Sequence, residues 1–390
     1  MRNLLLFEDW GWSETAPIPV SAYIHVPFCA QRCGYCNFSL LANRSDLFER
    51  YLSALEVELS ALLEPRPVQT LFLGGGTPSI LPRELTERML SILARWLPLQ
   101  GDHREWSIEA NPIDITRERL ELWKAYGIER VSLGGQSFDS HKLATLERDH
   151  SPEQLRAAID MAKQTMGSVS LDLIFAAPNE TLPIWEQDLA KAIESDVDHL
   201  STYGLTYEKG AKFWGQRERN QLCTVSEEDE LAMYALAIDT LSGSGYEHYE
   251  ISNFAKPRHA CRHNQTYWKG SPWWAFGPSA ARYVGDVRSV NHRSTLAYLR
   301  RIEAGDSPVD ERELLSPSQK IRERFVFGMR QIAGVDWSEL ASQADEETRD
   351  AIALKIGDHV EAGWMQRVGD RVRLTRSGLF LSDSLWHHYL

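Results

Sequence analysis

Apolar residues along the first half of the chain follow two rhythms. Short runs rich in β-branched and aromatic residues alternate with longer stretches in which apolar positions recur every three or four residues. The runs are AYIHV, VQTLFLGG, EWSIEAN, RVSLGG, VSLDLIFAAP and HLSTYGLT, from Ala22 to about Leu205. Between them lie amphipathic stretches. The first starts near Ser45 and carries Leu47, Tyr51, Leu55, Leu59 and Leu62 on one face; the next follows Ser79 and Pro82, with Leu85, Met89, Leu93 and Trp96 as its stripe. A third runs from Thr116 to Gly127, where glycine ends the helix. A fourth opens on Ser151, Pro152 and Gln154, a capping box with proline in the first turn, and stops at Gly167. A fifth spans about Trp185 to Ile193. Six strands, each separated by a helix, predict an α/β fold with a parallel sheet and right-handed crossovers. The runs look near-continuously apolar, as for strands buried on both faces. Six units predict an open, partial (β/α)₆ barrel with its reactive groups at the C-terminal strand ends.

Beyond Ser226 the pattern changes. A helix is predicted over roughly Glu227 to Leu241, then the Gly-Ser stretch SGSGYEHYE and an irregular, aromatic-rich region to about Ser316. The last residues read as helix, helix, two short strands joined at Gly369-Asp370, and a final helix, a winged-helix-like pattern. The expected organisation is an N-terminal segment 1–20, a barrel unit 21–225, an aromatic-rich region 226–315 and a C-terminal module 316–390.

Composition narrows the function classes. The 390 residues, 43% of them hydrophobic and 25% charged, suit a globular protein with a sizeable core. A net charge of -13 argues against a nucleic-acid partner and for reading the C-terminal arginines as a solvated face. No run of about 18 apolar residues predicts a membrane span, and acidic and tryptophan residues interrupt MRNLLLFEDWGW before a signal-peptide core forms. The expectation is a cytoplasmic protein whose five cysteines stay reduced. The tryptophans near Trp268, Trp273 and Trp274 fit a bulky core as well as a flat hydrophobic ligand surface.

Three of the cysteines, Cys29, Cys33 and Cys36, fall just after the first strand in YIHVPFCAQRCGYCNF. A zinc site would need a fourth ligand, for which His25 or His263 is available. A redox pair would use Cys33 and Cys36 alone. A four-iron cluster would take all three thiolates and leave one iron open to a small chelating molecule. The C-x3-C-x2-C spacing after a strand resembles the signature of the radical S-adenosylmethionine (SAM) superfamily.

YIHVPFC, GGGTPS, SIEANP, RVSLGGQSF, LDLIF and YEISNFAKP with CRHNQTYW together resemble, from about Ser21 to the C-terminus, one family. It contains the oxygen-independent coproporphyrinogen III oxidases and the haem chaperones of the HemW group. The resemblance implies a [4Fe-4S] cluster on Cys29, Cys33 and Cys36. It also implies SAM contacts from Tyr23, Tyr35, Gly75, Gly76, Thr77, Glu109, Gln136, Arg148 and Asp172. Within the family the oxidase carries a further cysteine two residues after the third; here that position is Phe38, as in the chaperones. His263 to Trp268 matches the chaperones' HNxxYW segment, which implies haem contact through His263, with Tyr267, Trp268, Trp273 and Trp274 able to pack on porphyrin. Three places depart from the family pattern: Ala176-Ala177-Pro178 for Gly-Leu-Pro, Ala211 for threonine, and Ala281-Arg282 for His-Ser, the last putting the far side of the pocket in question. The expectation is a haem chaperone with an electron donor and haem-acceptor proteins as partners and reductive SAM cleavage left open. The alternative is a coproporphyrinogen oxidase acting on a porphyrin precursor.

Overall fold

A computed structural model of the chain describes Trp10 and residues 17–390; the rest of the expected N-terminal segment 1–20 lies outside the described residues. Its centre is a six-stranded parallel array: β1 (Ser21–Val26), β2 (Thr70–Gly75), β3 (Glu105–Ala110), β4 (Arg130–Gln136), β5 (Ser168–Phe175) and β6 (His199–Gly204). They stand side by side in sequence order, each paired parallel to the next. The crossovers carry α1 (Phe48–Ser60), α2 (Arg83–Trp96), α3 (Arg117–Tyr126), α4 (Pro152–Thr165) and α5 (Leu182–Glu194). Thr116 caps α3 and Gly127 ends it at φ 93°; the Ser151–Gln154 capping box opens α4. This is an α/β fold whose parallel strands form a partial barrel.

The strands are two-faced. Leu71, Leu73, Ile108, Val131, Leu133, Val169, Leu171, Leu173 and Leu200 are buried in the main core with the crossover helices; each contributes about 1.5–3 kcal/mol on burial. The alternate positions line the concave interior with polar and aromatic groups: Tyr23, Phe72, Glu109, Arg130, Ser132, Ser170, Asp172, His199 and Ser201. The expectation of strands apolar on both faces is thereby corrected. With period-two alternation, every second residue points into an interior that no crossover helix fills.

The region read as irregular is ordered. After α6 (Glu227–Gly243), β7 (Glu247–Glu250) and β8 (Asn253–Ala255) add antiparallel strands beyond β6. On the opposite edge, β9 (Trp274–Phe276) pairs parallel with β1. Between them α7 (Arg262–Trp268) packs against β2. A three-stranded antiparallel sheet follows, from Ala281–Val284, Val287–Asn291 and Val309–Leu314. The last residues form their own core, with Phe325, Ile352, Ile356, Met365, Val372 and Tyr389 among its members. There, strands Met365–Val368 and Arg371–Leu374 pair antiparallel behind helices Pro317–Gly328 and Glu346–Glu361. No helix among the described residues is long and apolar enough to cross a membrane.

Candidate functional site

The C-terminal strand ends surround a cavity of about 460 Å³. Its rim is the cysteine loop. Cys29 closes the two-residue strand Phe28–Cys29, which pairs parallel with Leu41–Ala42. A turn then brings the Cys36 N–H to the Cys33 carbonyl at 3.1 Å. Arg32 folds the rest back, donating to the carbonyls of Cys36, Phe38 and Leu40 at 3.3, 3.2 and 2.8 Å. None of the three thiols is in a disulfide. Burial pushes Cys29 up to about 12 and raises Cys36, while the hydroxyl of Thr77, 3.2 Å from Cys29 Sγ, works the other way.

Arg148 crosses from beyond β4 to the loop. Its Nη1 donates to Cys33 Sγ at 3.5 Å, and its Nη2 donates to Asn111 Oδ1 at 2.7 Å and to the Gly134 carbonyl at 2.9 Å. Opposite, the Gly75 N–H donates to Glu109 Oε2 at 3.0 Å. The three glycines at the end of β2, Gly74 to Gly76, are required by the chain itself. A Cβ on Gly74 would lie 2.9 Å from the Glu109 carboxylate, one on Gly75 (φ 104°) 2.4 Å from the His25 ring, and one on Gly76 2.5 Å from the Phe28 carbonyl oxygen. Their sequence signal reports close backbone approach.

The interior floor carries two carboxylates. Glu109 is pushed up to about 8 by burial and then by the charge of Asp172, against the Gly75 hydrogen bond. Asp172 is raised by burial to about 6, opposed by the hydroxyls of Ser201 and Ser132 and by the charge of Arg148. Both carboxylates, with Ser132 and Tyr203, also line a second, inner chamber of about 170 Å³ deeper in the barrel.

Of the residues singled out from sequence, the structure gathers Cys29, Cys33, Tyr35, Cys36, Gly75, Gly76, Thr77, Glu109, Gln136, Arg148 and Asp172 around the outer cavity. Tyr23 and His263 it places on the inner chamber instead. Tyr23 Oη lies 3.1 Å from His25 Nδ1. His263 enters on α7 and is 1% exposed, its Nδ1 2.9 Å from Thr70 Oγ1 and its Nε2 2.8 Å from Tyr267 Oη. Burial lowers its pKa to about 4, so the ring is neutral. His25 is equally committed, with Nε2 2.7 Å from the Ser39 carbonyl. Neither imidazole is free to serve as a fourth zinc ligand. Among the described residues no three His, Cys, Asp or Glu side chains converge on a single-ion site.

The departure at Ala281-Arg282 lies elsewhere. Arg282 is fully buried, with Nη2 3.1 Å from Glu58 Oε1 and bonded to Asn291 Oδ1, and its guanidinium sits over the Trp10 ring. It lines neither cavity, so the far side of the pocket is not what this substitution changes. Asn111, Ser132, Ser201 and Tyr203 escaped the sequence reading. Asn111 stood inside SIEANP, and the two serines were visible as polar residues alternating within apolar runs.

Comparison with known proteins places this geometry. The model of the radical SAM superfamily matches residues 23–192, and that of the HemN C-terminal domain matches residues 315–381. The heme chaperone HemW of Bacillus subtilis (strain 168) is 30% identical over 374 residues, covering 95% of this chain and 99% of that protein. The heme chaperone HemW of Mycobacterium tuberculosis (strain ATCC 25618 / H37Rv) is 34% identical, covering 94% of each. Among solved structures, the radical SAM coproporphyrinogen III oxidase HemN of Escherichia coli superposes with a TM-score of 0.83 at 23% identity, over 95% of this chain and 90% of that one. That likeness establishes the fold.

Proposed function

The chain belongs to the HemW family of radical SAM proteins, and from that membership we propose that it is a haem chaperone. In this reading it holds a [4Fe-4S] cluster and SAM and passes haem to acceptor proteins. The observation that carries the cofactor reading is the convergence of three disulfide-free thiols, one half-buried arginine and two interior carboxylates on a single cavity. The donor set fits the cluster: three thiolates each take a separate iron, whereas zinc would need four ligands around one centre. When bound, the cluster supplies an open iron that the amino and carboxylate groups of SAM can chelate, and an electron for its sulfonium.

The chain's own residues hold the cosubstrate. Arg148 meets a carboxylate with its fork-shaped donors. Gly75, Gly76 and Thr77 bring backbone to the zwitterionic end, and Tyr35 closes the loop beside it. Glu109 and Asp172 accept the ribose hydroxyls and offset the sulfonium charge; Gln136 adds an amide contact from β4. Tyr23 acts from the inner side of Glu109.

Phe38, 65% exposed at the cavity mouth where an oxidase carries its further cysteine, favours the chaperone over the enzyme. His263 is the haem-ligand candidate, and ligation requires it to leave Thr70 and Tyr267. Anaerobic reconstitution should yield about four irons per chain, and haem added stoichiometrically should shift its Soret band. Stoichiometric zinc in place of iron would end the cluster reading. Conversion of coproporphyrinogen to product, without haem binding, would replace the chaperone by the oxidase.

A further inference from the structure

Three charged side chains outside the cavity are almost completely buried: Lys142 on the short helix Ser140–Thr145, Glu180 in the loop after β5, and Asp188 on α5. Lys142 Nζ bonds Glu180 Oε1, donates to Asp188 Oδ2 at 2.9 Å, and lies 5.0 Å from the ring centre of Trp185. Burying such a trio gains little stability over an apolar core, so its worth lies in what it holds in place.

It holds two strand-end turns. Asp188 accepts from Ser137 Oγ at 2.7 Å and from the Phe138 N–H at 2.6 Å, both in the turn that leaves β4. Glu180 Oε2 accepts from the Ala177 N–H at 2.9 Å, in the turn that leaves β5. Each turn contains a non-glycine residue in the left-handed region, Gln136 at φ 64° and Ala176 at φ 59°. Such residues persist only where the surroundings over-determine them.

The first turn is also gripped from its other side. Arg148 takes the Gly134 carbonyl, and His150 Nε2 lies 2.9 Å from the Gly135 carbonyl. Gln136 therefore stands between two anchors, with its side chain lining the cavity. The pairing of β4 with β5 shifts register between Leu133 and Gln136, so Gln136, paired with Leu173, lies just past an irregularity in the ladder.

We propose that Asp188, braced by Lys142 and Glu180, is a positioning residue that aims Gln136 into the cofactor cavity. The inference rests on the reading of that cavity as the SAM site. It also accounts for how Ala176, which is not glycine, holds φ 59°: Glu180 fixes the next peptide.

The test is a double-mutant cycle on the full, anaerobically reconstituted chain, with SAM as titrant and iron content measured for every variant. Gln136→Ala and Asp188→Asn should each weaken SAM about tenfold, with iron retained, and Gln136→Ala/Asp188→Asn should bind no worse than Gln136→Ala alone. A merely structural Asp188 would lower stability in both backgrounds and leave the two effects on SAM multiplicative, which overturns the inference. If Asp188→Asn does not fold, Glu180→Gln enters the same cycle with the same two outcomes. A Gln136→Ala chain that binds SAM normally removes Gln136 from the site and the inference with it. A normal Gln136→Ala effect beside a multiplicative double variant sinks the positioning role alone.

Discussion

Glu109 carries the pH dependence of the site. Its carboxyl is held up to about 8, so it is mostly protonated at neutral pH in the free protein. The stability it contributes is complete below the ordinary carboxylate range and is lost as pH rises through about 8, because ionisation then occurs in a buried place. A ligand that donates hydroxyls to it, or brings a sulfonium near it, favours the ionised form. SAM binding near pH 7 should therefore release a proton and tighten towards pH 8, by at most about tenfold per pH unit. Calorimetry in buffers of different ionisation enthalpy checks this, and Glu109→Gln should remove the proton release. A pH-independent affinity would show that the ligand does not reach this carboxylate. His263 gives the second residue-scale prediction. Its truncation to alanine leaves the hydroxyls of Thr70 and Tyr267 without their imidazole partner and opens space beside Phe72. His263→Ala should cost about 2–4 kcal/mol in urea unfolding and should alter the haem spectrum. An unchanged Soret band would place haem elsewhere.

At the scale of elements, the three-stranded sheet that begins at Ala281 is fastened to α1 by a buried polar knot. Glu58 receives Arg282, the Asn291 amide, the Tyr298 hydroxyl at 2.8 Å and the Gly277 N–H at 2.8 Å. Arg282→Ala would leave a buried carboxylate without its cation, at a cost of about 3–5 kcal/mol. Thermal unfolding should show the loss while SAM affinity stays put; a weakened affinity would connect this knot to the cavity after all. The six parallel strands and their helices were legible because apolar runs and 3.6-residue stripes are strong, repeated signals. The short strands β7, β8 and β9 were not, since three or four residues give no period to read and β8 and β9 pair with strands far off in sequence. The strands' interior face was present in the sequence as Ser107 and Glu109, Ser132, Ser170 and Asp172, Ser201, all alternating with leucine, isoleucine and valine. The runs nevertheless read as uniformly apolar, because the side without crossover helices cannot be recognised until the sheet curves. The cysteine loop stood out by its spacing, which left zinc, redox and cluster readings open until the family resemblance weighed among them. The division of Tyr23 and His263 from the rest was not, because only the barrel's depth separates them.

For the molecule as a whole, ligand binding and folding share one equilibrium. SAM at about 100-fold over its dissociation constant should stabilise the cluster-bearing chain by about 2.7 kcal/mol. Cys33→Ala, lacking the cluster, should show little of that shift and little iron; an equal thermal shift in both would mean that SAM binds without the thiolates. Outer cavity and inner chamber share one wall, built from Glu109 and Asp172, and the charge of Glu109 is felt on the far side by Tyr23 and Tyr267. Two rooms with a common titrating wall obey reciprocity: whatever occupancy of the outer room does to the inner one, disturbance of the inner one returns by the same factor. On the chaperone reading, haem that drew His263 away from Thr70 would be registered by SAM through that wall, so that loading of one room would be read in the other.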